Sequence, residues 1–374
     1  MKRFFTILSL IVLLSGCHRH SEGGQFNIRE FPVKEGIDVE NENPMQMTFF
    51  SYSDGIVATM TYPPPNNTVF YRTGDEGITW TKQSLISKWY CESLIISNGC
   101  IYAAMRFSDD IRLRSKIIMS QDTAKTWQEL ASFEDDYEIK NIGVRGRDAI
   151  AILRYHFVPV DIKKEGFRSP RYGRDYEILV SNDRGKYWNV VPVDTTVSLE
   201  EASFAFSEGL VTTVERKTAF TQIDIASMKK DSLTVDKPPI DVGGWPEMCR
   251  SGEIIGISEN DLACFYSVHG HNATYESTIC ANRHSPNDPV WLYQYGDMVY
   301  TSVNVCWDKV SQRTYISYDR AKTWHPVCNE WFMTGYKDRL YNFKIINENG
   351  SRKAYMMVLE PTRKKDINNT NKQY

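Results

Sequence analysis

The sequence lacks any long amphipathic helical stretch, and its one strongly apolar run, Phe4 to Leu14, falls well short of a bilayer span. There is no CxxC pair and no histidine-rich spacing, so neither a metal site nor a cofactor is expected. Nor is there an excess of one charge. The chain sets 44 Lys and Arg against 47 Asp and Glu, a net charge of −3, which excludes the basic footprint of a nucleic-acid binder. What it does have is aromatic surface: 13% of its 374 residues are aromatic, including 21 Tyr and 9 Trp, as suits a strand-rich chain. That length accommodates one large all-β domain.

One octet recurs. Thr73-Gly-Asp-Glu-Gly-Ile-Thr-Trp80 shares its frame with Ser120-Gln-Asp-Thr-Ala-Lys-Thr-Trp127, Ser181-Asn-Asp-Arg-Gly-Lys-Tyr-Trp188 and Ser317-Tyr-Asp-Arg-Ala-Lys-Thr-Trp324. Each follows a short apolar run, and recurrence at spacings of tens of residues marks a repeat architecture. The aspartates Asp75, Asp122, Asp183 and Asp319 can accept N–H groups of a turn, as Asp does in Asx-turns. Gly in the fifth position tolerates a left-handed backbone, whereas the two Ala copies must bear strain there or turn differently. Trp80, Trp127, Trp188 and Trp324 then carry a large apolar surface inward, each with an N–H seeking a partner.

These octets resemble the Asp-box, or bacterial neuraminidase repeat, of sialidases and many other β-propellers. The resemblance implies an all-β propeller in which each box joins the third and fourth strands of a blade. It implies no activity, because the octet's own chemistry is turn-making. Around the boxes the chain reads strand, turn, strand: Met45–Tyr52, Ile56–Tyr62 and Thr68–Thr73 lead to the first, with equivalent runs before the second and third. Asp183 and Asp319 lie 136 positions apart, against 47 and 61 for the earlier intervals, so two blades without intact boxes are needed. Ser285 to Asp288 with Trp291 reads as a decayed box. The expected total is six blades, with seven as the alternative, and Phe26–Val33 joining the last blade to close the ring.

The chain opens as an address. Met1-Lys2-Arg3, the apolar core and Leu14-Ser15-Gly16-Cys17 resemble a bacterial lipoprotein signal, which implies cleavage after residue 16 and a lipid on Cys17. Residues 17–25 then form the lipidated Cys and a polar tether, 26–361 the propeller, and 362–374 a charged, amide-rich tail. The expected location is the bacterial cell envelope, lipid-anchored, at the outer membrane because His18 rather than Asp follows the Cys. Seven of the eight cysteines remain, an odd number. Cys264 and Cys280 flank the turn at Gly270-His271-Asn272 and are the leading disulfide candidates; Cys306 and Cys328 are a second pair. Cys91 and Cys100 would be out of register across their turn.

In such propellers the turns between second and third strands share the face opposite the boxes. That groups Tyr62–Asn67, Ser108–Arg114, Phe157–Asp175 and His269–Asn272. The third is a 19-residue insertion carrying Arg168, Arg171, Tyr172 and Arg174. With Arg112 and Arg114 it makes a candidate electropositive, aromatic surface for carboxylates, phosphates or an acidic protein. Sialidase chemistry fits poorly: the opening strand, Met45-Gln-Met-Thr-Phe-Phe50, has no arginine, and Pro63-Pro-Pro-Asn-Asn67 stands where the acid/base aspartate belongs. The reading is therefore a lipid-anchored binding or scaffold module with a protein or anionic glycan ligand, such as one capturing an envelope-active toxin. The alternative is a diverged sialidase-like glycosidase or a glycan-binding protein.

Overall fold

The computed structural model describes residues 26–64, 66–107, 114–134, 137–146, 148–159, 172–191, 203–207, 210–215, 219–237, 247–248, 253–259, 262–280, 291–304 and 312–362. Strand β1 (Phe26–Pro32) comes first. Four-stranded meanders follow: β2 (Glu42–Phe49), β3 (Gly55–Thr61), β4 (Asn67–Thr73) and β5 (Thr81–Ser87), then β6 (Trp89–Ser97), β7 (Cys100–Phe107), β8 (Ser115–Ser120) and β9 (Gln128–Phe133). Next are β10 (Glu138–Arg145), β11 (Ala149–Pro159), β12 (Tyr172–Ser181) and β13 (Asn189–Val191), and then β14 (Ser203–Ser207), β15 (Leu210–Glu215), β16 (Ala219–Asp224) and β17 (Lys230–Val235). Then come β18 (Glu247–Met248), β19 (Ile254–Glu259), β20 (Leu262–His269) and β21 (Asn272–Cys280), with β22 (Trp291–Tyr295), β23 (Met298–Asn304), β24 (Gln312–Ser317) and β25 (His325–Cys328) after them. The chain ends its strands with β26 (Thr334–Tyr336), β27 (Arg339–Glu348) and β28 (Ser351–Pro361).

The all-β propeller is thus what the chain forms, with no helix among the described residues. Six hydrogen-bonded sheets result, five of four strands and one of eight. The large sheet consists of two meanders, β14–β17 and β18–β21, joined where β17 runs parallel to β21 over Thr234↔Asn272 and Val235↔Ala273. Six sheets match the six units expected; taken meander by meander the ring has seven, the stated alternative. An apolar core fills each gap between neighbouring meanders, for example Ile56, Ala58 and Phe70 against Ala103, Met105 and Ile118. Alternation along each strand supplies both flanks, because successive side chains point to opposite faces.

The ring closes as expected: β1 pairs antiparallel with β28 from Phe26↔Pro361 to Pro32↔Tyr355. Closure covers an edge that would otherwise be free to template another strand. An ion quartet pins it. Arg29 donates to Glu76 Oε2 at 2.9 Å and to Glu360 Oε1 at 2.8 Å, while Arg339 pairs with Glu360 at 2.7 Å and also with Glu76. Glu76 belongs to the first octet, so the quartet ties the first meander to the last.

The octets joining third to fourth strands lie on one face of the ring, here the lower face, together with the turns between first and second strands. Arg320 N–H to Asp297 carbonyl (3.2 Å) and Glu76 N–H to Ser53 carbonyl (3.0 Å) link the two sets. Three expectations need correction. The His269–Asn272 turn joins β20 to β21, the third and fourth strands, so it belongs to the octet face. Trp291 opens the inner strand β22 rather than closing a decayed box, and residues 285–288 lie outside the described residues. The insertion at 157–175 is partly strand, since β11 and β12 pair out to Pro159↔Tyr172.

Candidate functional site

The octets build themselves from three side chains. In the second, Ser120 Oγ accepts the Ala124 N–H at 2.9 Å and donates to Asp122 Oδ1 at 2.8 Å. Asp122 then accepts the Thr126 N–H at 2.9 Å and the Thr126 hydroxyl at 2.6 Å. The first and fourth octets repeat this through Thr73, Asp75 and Thr79 and through Ser317, Asp319 and Thr323. In the third, Tyr187 replaces the Thr, so Asp183 takes the Ser181 hydroxyl and the backbone N–H groups of Lys186 and Tyr187 but no hydroxyl from the seventh position. The fourth and fifth residues are left-handed in every copy, including Ala124 at φ 67° and Ala321 at φ 69°. The Ala copies therefore bear the strain, and their methyls are fully buried in return.

These octets are turn machinery. On the opposite, upper face, where β6 to β12 begin and end, cationic side chains gather over aromatic rings. Arg106 closes β7 and donates to Glu92 Oε1 at 2.7 Å, with Glu138 at 3.9 Å. Glu92 can reach it because a bulge between Cys91 and Ser93 takes the carboxylate off the ladder. Four cations cover aromatic rings along this rim: Arg106 over Tyr90 at 4.6 Å, Arg114 over Phe107 at 4.1 Å, Lys116 over Trp89 at 4.2 Å and Arg154 over Tyr137 at 4.3 Å. Such contacts hold a guanidinium or ammonium in place without neutralising it. Arg106, Lys116 and Arg154 also have carboxylate partners, the last in Glu177 at 2.8 Å. Arg114 has none among the described residues, and its Nε is buried without an acceptor.

Of the candidate binding residues, Arg114 therefore sits in a cationic, aromatic rim. Arg112, Arg168 and Arg171 lie outside the described residues, as does Cys17. Tyr172 and Arg174 are on β12, across from Pro159 and Phe157. Sequence reasoning missed Arg106, Lys116 and Arg154. The signal was present in Met105-Arg106-Phe107 and Leu153-Arg154-Tyr155, an Arg-aromatic pair on two successive second strands.

The register bears on the cysteine pairing. Cys264 is buried opposite Thr278 and Cys280 stands opposite Leu262, so the two lie a diagonal step apart. Cys328 is free, and Cys306 lies outside the described residues. Cys91 and Cys100 are free and face Met105 and Ser97.

A cavity of about 880 Å³ lies on the ring axis. Its described lining includes Gln46, Thr48, Asn141, Tyr293 and Thr334, with Lys337 as its one charged side chain and no arginine. Among the described residues three Glu–Tyr pairs lie elsewhere, Tyr71 to Glu42 at 2.9 Å, Tyr155 to Glu138 at 2.8 Å and Tyr355 to Glu348 at 3.1 Å. The first two phenols are buried in the cores between meanders, and burial raises the Tyr71 phenol far above its usual range. Among the described residues, no group of three His, Cys, Asp or Glu stands where it could hold a metal ion.

No family model and no curated protein sequence matches the chain. Solved structures do match. A structure described as YCF48 bound to D1 peptide is 11% identical with TM-score 0.51, covering 90% of this chain and 95% of that one. The β-propeller domain of the Trilobed protease from Pyrococcus furiosus, described as an open velcro topology, is 9% identical with TM-score 0.50, covering 81% and 91%. An oligogalacturonate lyase in complex with manganese is 10% identical with TM-score 0.50, covering 85% and 98%. At these identities the likeness shows the fold, a β-propeller.

Proposed function

We propose that this chain is a lipid-anchored binding module of the bacterial envelope, holding an acidic segment of a protein partner against its upper rim. The observation that carries this reading is the row of four cations over aromatic rings, with Arg114 lacking a carboxylate partner among the described residues. A pre-positioned cation attracts an anion at long range and then offers it a hydrogen bond. The fold neighbour bound to a peptide supports a protein partner, and a toxin acting on the envelope is one such partner. The anchor rests on Leu14-Ser15-Gly16-Cys17.

Two measurements test it. Cys17→Ser moves the protein from the membrane fraction to the soluble one; continued sedimentation of the variant, with no acyl chain on the native protein by mass spectrometry, defeats the anchor. Solubilised envelope passed over the native protein and over Arg114→Gln supplies a partner. Association with that partner is slower for Arg114→Gln and for the triple Gln variant of Arg168, Arg171 and Arg174, most of all at low salt. Equal rates at low and high salt defeat the rim.

A further inference from the structure

The lower face carries the mouth of the axial cavity, and it has a different character from the upper rim. Turns between first and second strands of three meanders meet there. They bring Tyr52 from the β2–β3 turn, Tyr295 from the end of β22, and Tyr336 with Lys337 from the β26–β27 turn. Tyr52 and Tyr295 are 38% and 43% exposed, high for rings of this size beside a cavity. Tyr52 is nonetheless fixed. Its hydroxyl donates to Asp338 Oδ1 at 2.8 Å, its carbonyl accepts the Tyr341 hydroxyl at 3.0 Å, and its ring meets Tyr336 edge to face at 5.5 Å.

Lys337 is the telling residue. It is left-handed, with φ 52°, a conformation that costs a Lys some strain. The turn places its ammonium 5.6 Å from both the Tyr52 and the Tyr336 ring centroids. It makes no hydrogen bond or ion pair among the described residues, whereas its neighbour Arg339 is committed to Glu76 and Glu360. Beyond this mouth the described lining offers amides and hydroxyls, Gln46, Asn141, Thr48 and Thr334, and no second charged side chain.

We infer that this mouth binds the end of an acidic glycan, a sugar residue bearing one carboxylate. Exposed tyrosine rings take the C–H face of a pyranose, the uncommitted ammonium takes the carboxylate, and the amides and hydroxyls beyond take sugar hydroxyls. A cavity of about 880 Å³ is of ordinary ligand size. A lipid chain would bury those amides without partners. A nucleic acid would find a single uncommitted cation among the described residues of the mouth. The site lies on the face opposite Arg114 and stands independently of the partner-binding rim.

The test titrates the full protein with tri-galacturonate and with sialyllactose by calorimetry, beside the methyl ester of each and a short Gly-Ser peptide with a free carboxylate. At least one acidic sugar binds, and its ester binds about tenfold more weakly, the value of one charge-assisted hydrogen bond. Lys337→Asn keeps the left-handed turn, since Asn accepts it, and loses that tenfold for the acid while leaving the ester unchanged. Tyr295→Ala weakens both, and Arg114→Gln weakens neither. Absence of binding by both acidic sugars, binding unaltered in Lys337→Asn and Tyr295→Ala, or binding of the peptide in place of the sugars each overturns the inference.

Discussion

Trp127 is hydrogen-bonded to Ser84 of the preceding meander: its Nε1 donates to the serine hydroxyl at 2.9 Å, and that hydroxyl donates to the Ala124 carbonyl at 2.5 Å. Trp324, Ser277 and Ala321 repeat the relay in the other Ala octet. In the two Gly octets the indole instead donates to its own fifth-position carbonyl, Trp80 to Gly77 at 2.9 Å and Trp188 to Gly185 at 3.0 Å. Ala octets are thus fastened to the neighbouring meander by a hydrogen-bonded serine, while Gly octets close on themselves.

Ser84→Ala leaves the Trp127 N–H without its acceptor and should cost about 1–2 kcal/mol in urea unfolding. A double-mutant cycle with Trp127→Phe should return most of that as coupling. Additive losses would show that the relay contributes nothing beyond its separate parts.

The fifth position should respond asymmetrically. A Cβ on Gly77 would sit 2.6 Å from Met356 Cγ at φ 95°, so Gly77→Ala should cost about 2 kcal/mol through strain and overpacking. Ala124→Gly relieves a left-handed alanine but loses a buried methyl, and should change stability by less than about 1 kcal/mol. Melting temperatures of the pair check this, and equal shifts would refute it.

Acid should loosen the octets. The Thr126 hydroxyl and then its N–H hold the Asp122 carboxyl down at about 2. Burial opposes ionisation of Asp319, but the Thr323 and Ser317 hydroxyls outweigh it and hold it at about 2 as well. Both folded values lie below the ordinary 3.8, so their contribution is complete above roughly pH 4 and is lost as pH falls through about 2. The double variant Asp122→Asn, Asp319→Asn should be less stable at neutral pH and should lose less between those limits. Parallel stability curves for wild type and variant across that window would count against it.

Glu76→Gln leaves Arg29 and Arg339 to share Glu360 alone. Partly exposed as the quartet is, the loss should be about 1–3 kcal/mol, below the figure for a fully buried pair. Hydrogen exchange should quicken in β1 before the other strands, because β1 is the strand the quartet pins. Unchanged β1 protection would separate closure from the quartet.

What could be read from the residues was whatever was local. Each octet carries its turn in eight consecutive positions, so the hairpins were legible in the sequence, as was the closing role of Phe26–Val33. The meanders β14–β17 and β18–β21 have no octet, and β26–β28 must borrow its fourth strand from the other end of the chain; that is why the blade count stayed between six and seven. The offset between Cys264 and Cys280 was not legible from their near-symmetry about the turn: Cys264 lies opposite Thr278, two residues short of Cys280. Lys337 between Tyr52 and Tyr336 joins turns nearly 300 positions apart, which no local pattern records.

The closure of β1 on β28 also sets a direction. Phe26 lies across from Pro361 and stacks on Tyr318 of the fourth octet at 6.2 Å, so the chain enters its fold on the lower face. Nine tether residues reach at most about 30 Å. A lipid on Cys17 would therefore turn the cavity mouth with Lys337 toward the bilayer and leave Arg114 and its rim looking away from it. Held so, the ring would be a two-sided adaptor, its cavity mouth on the anchored side and its cationic rim presented to whatever approaches from the far side.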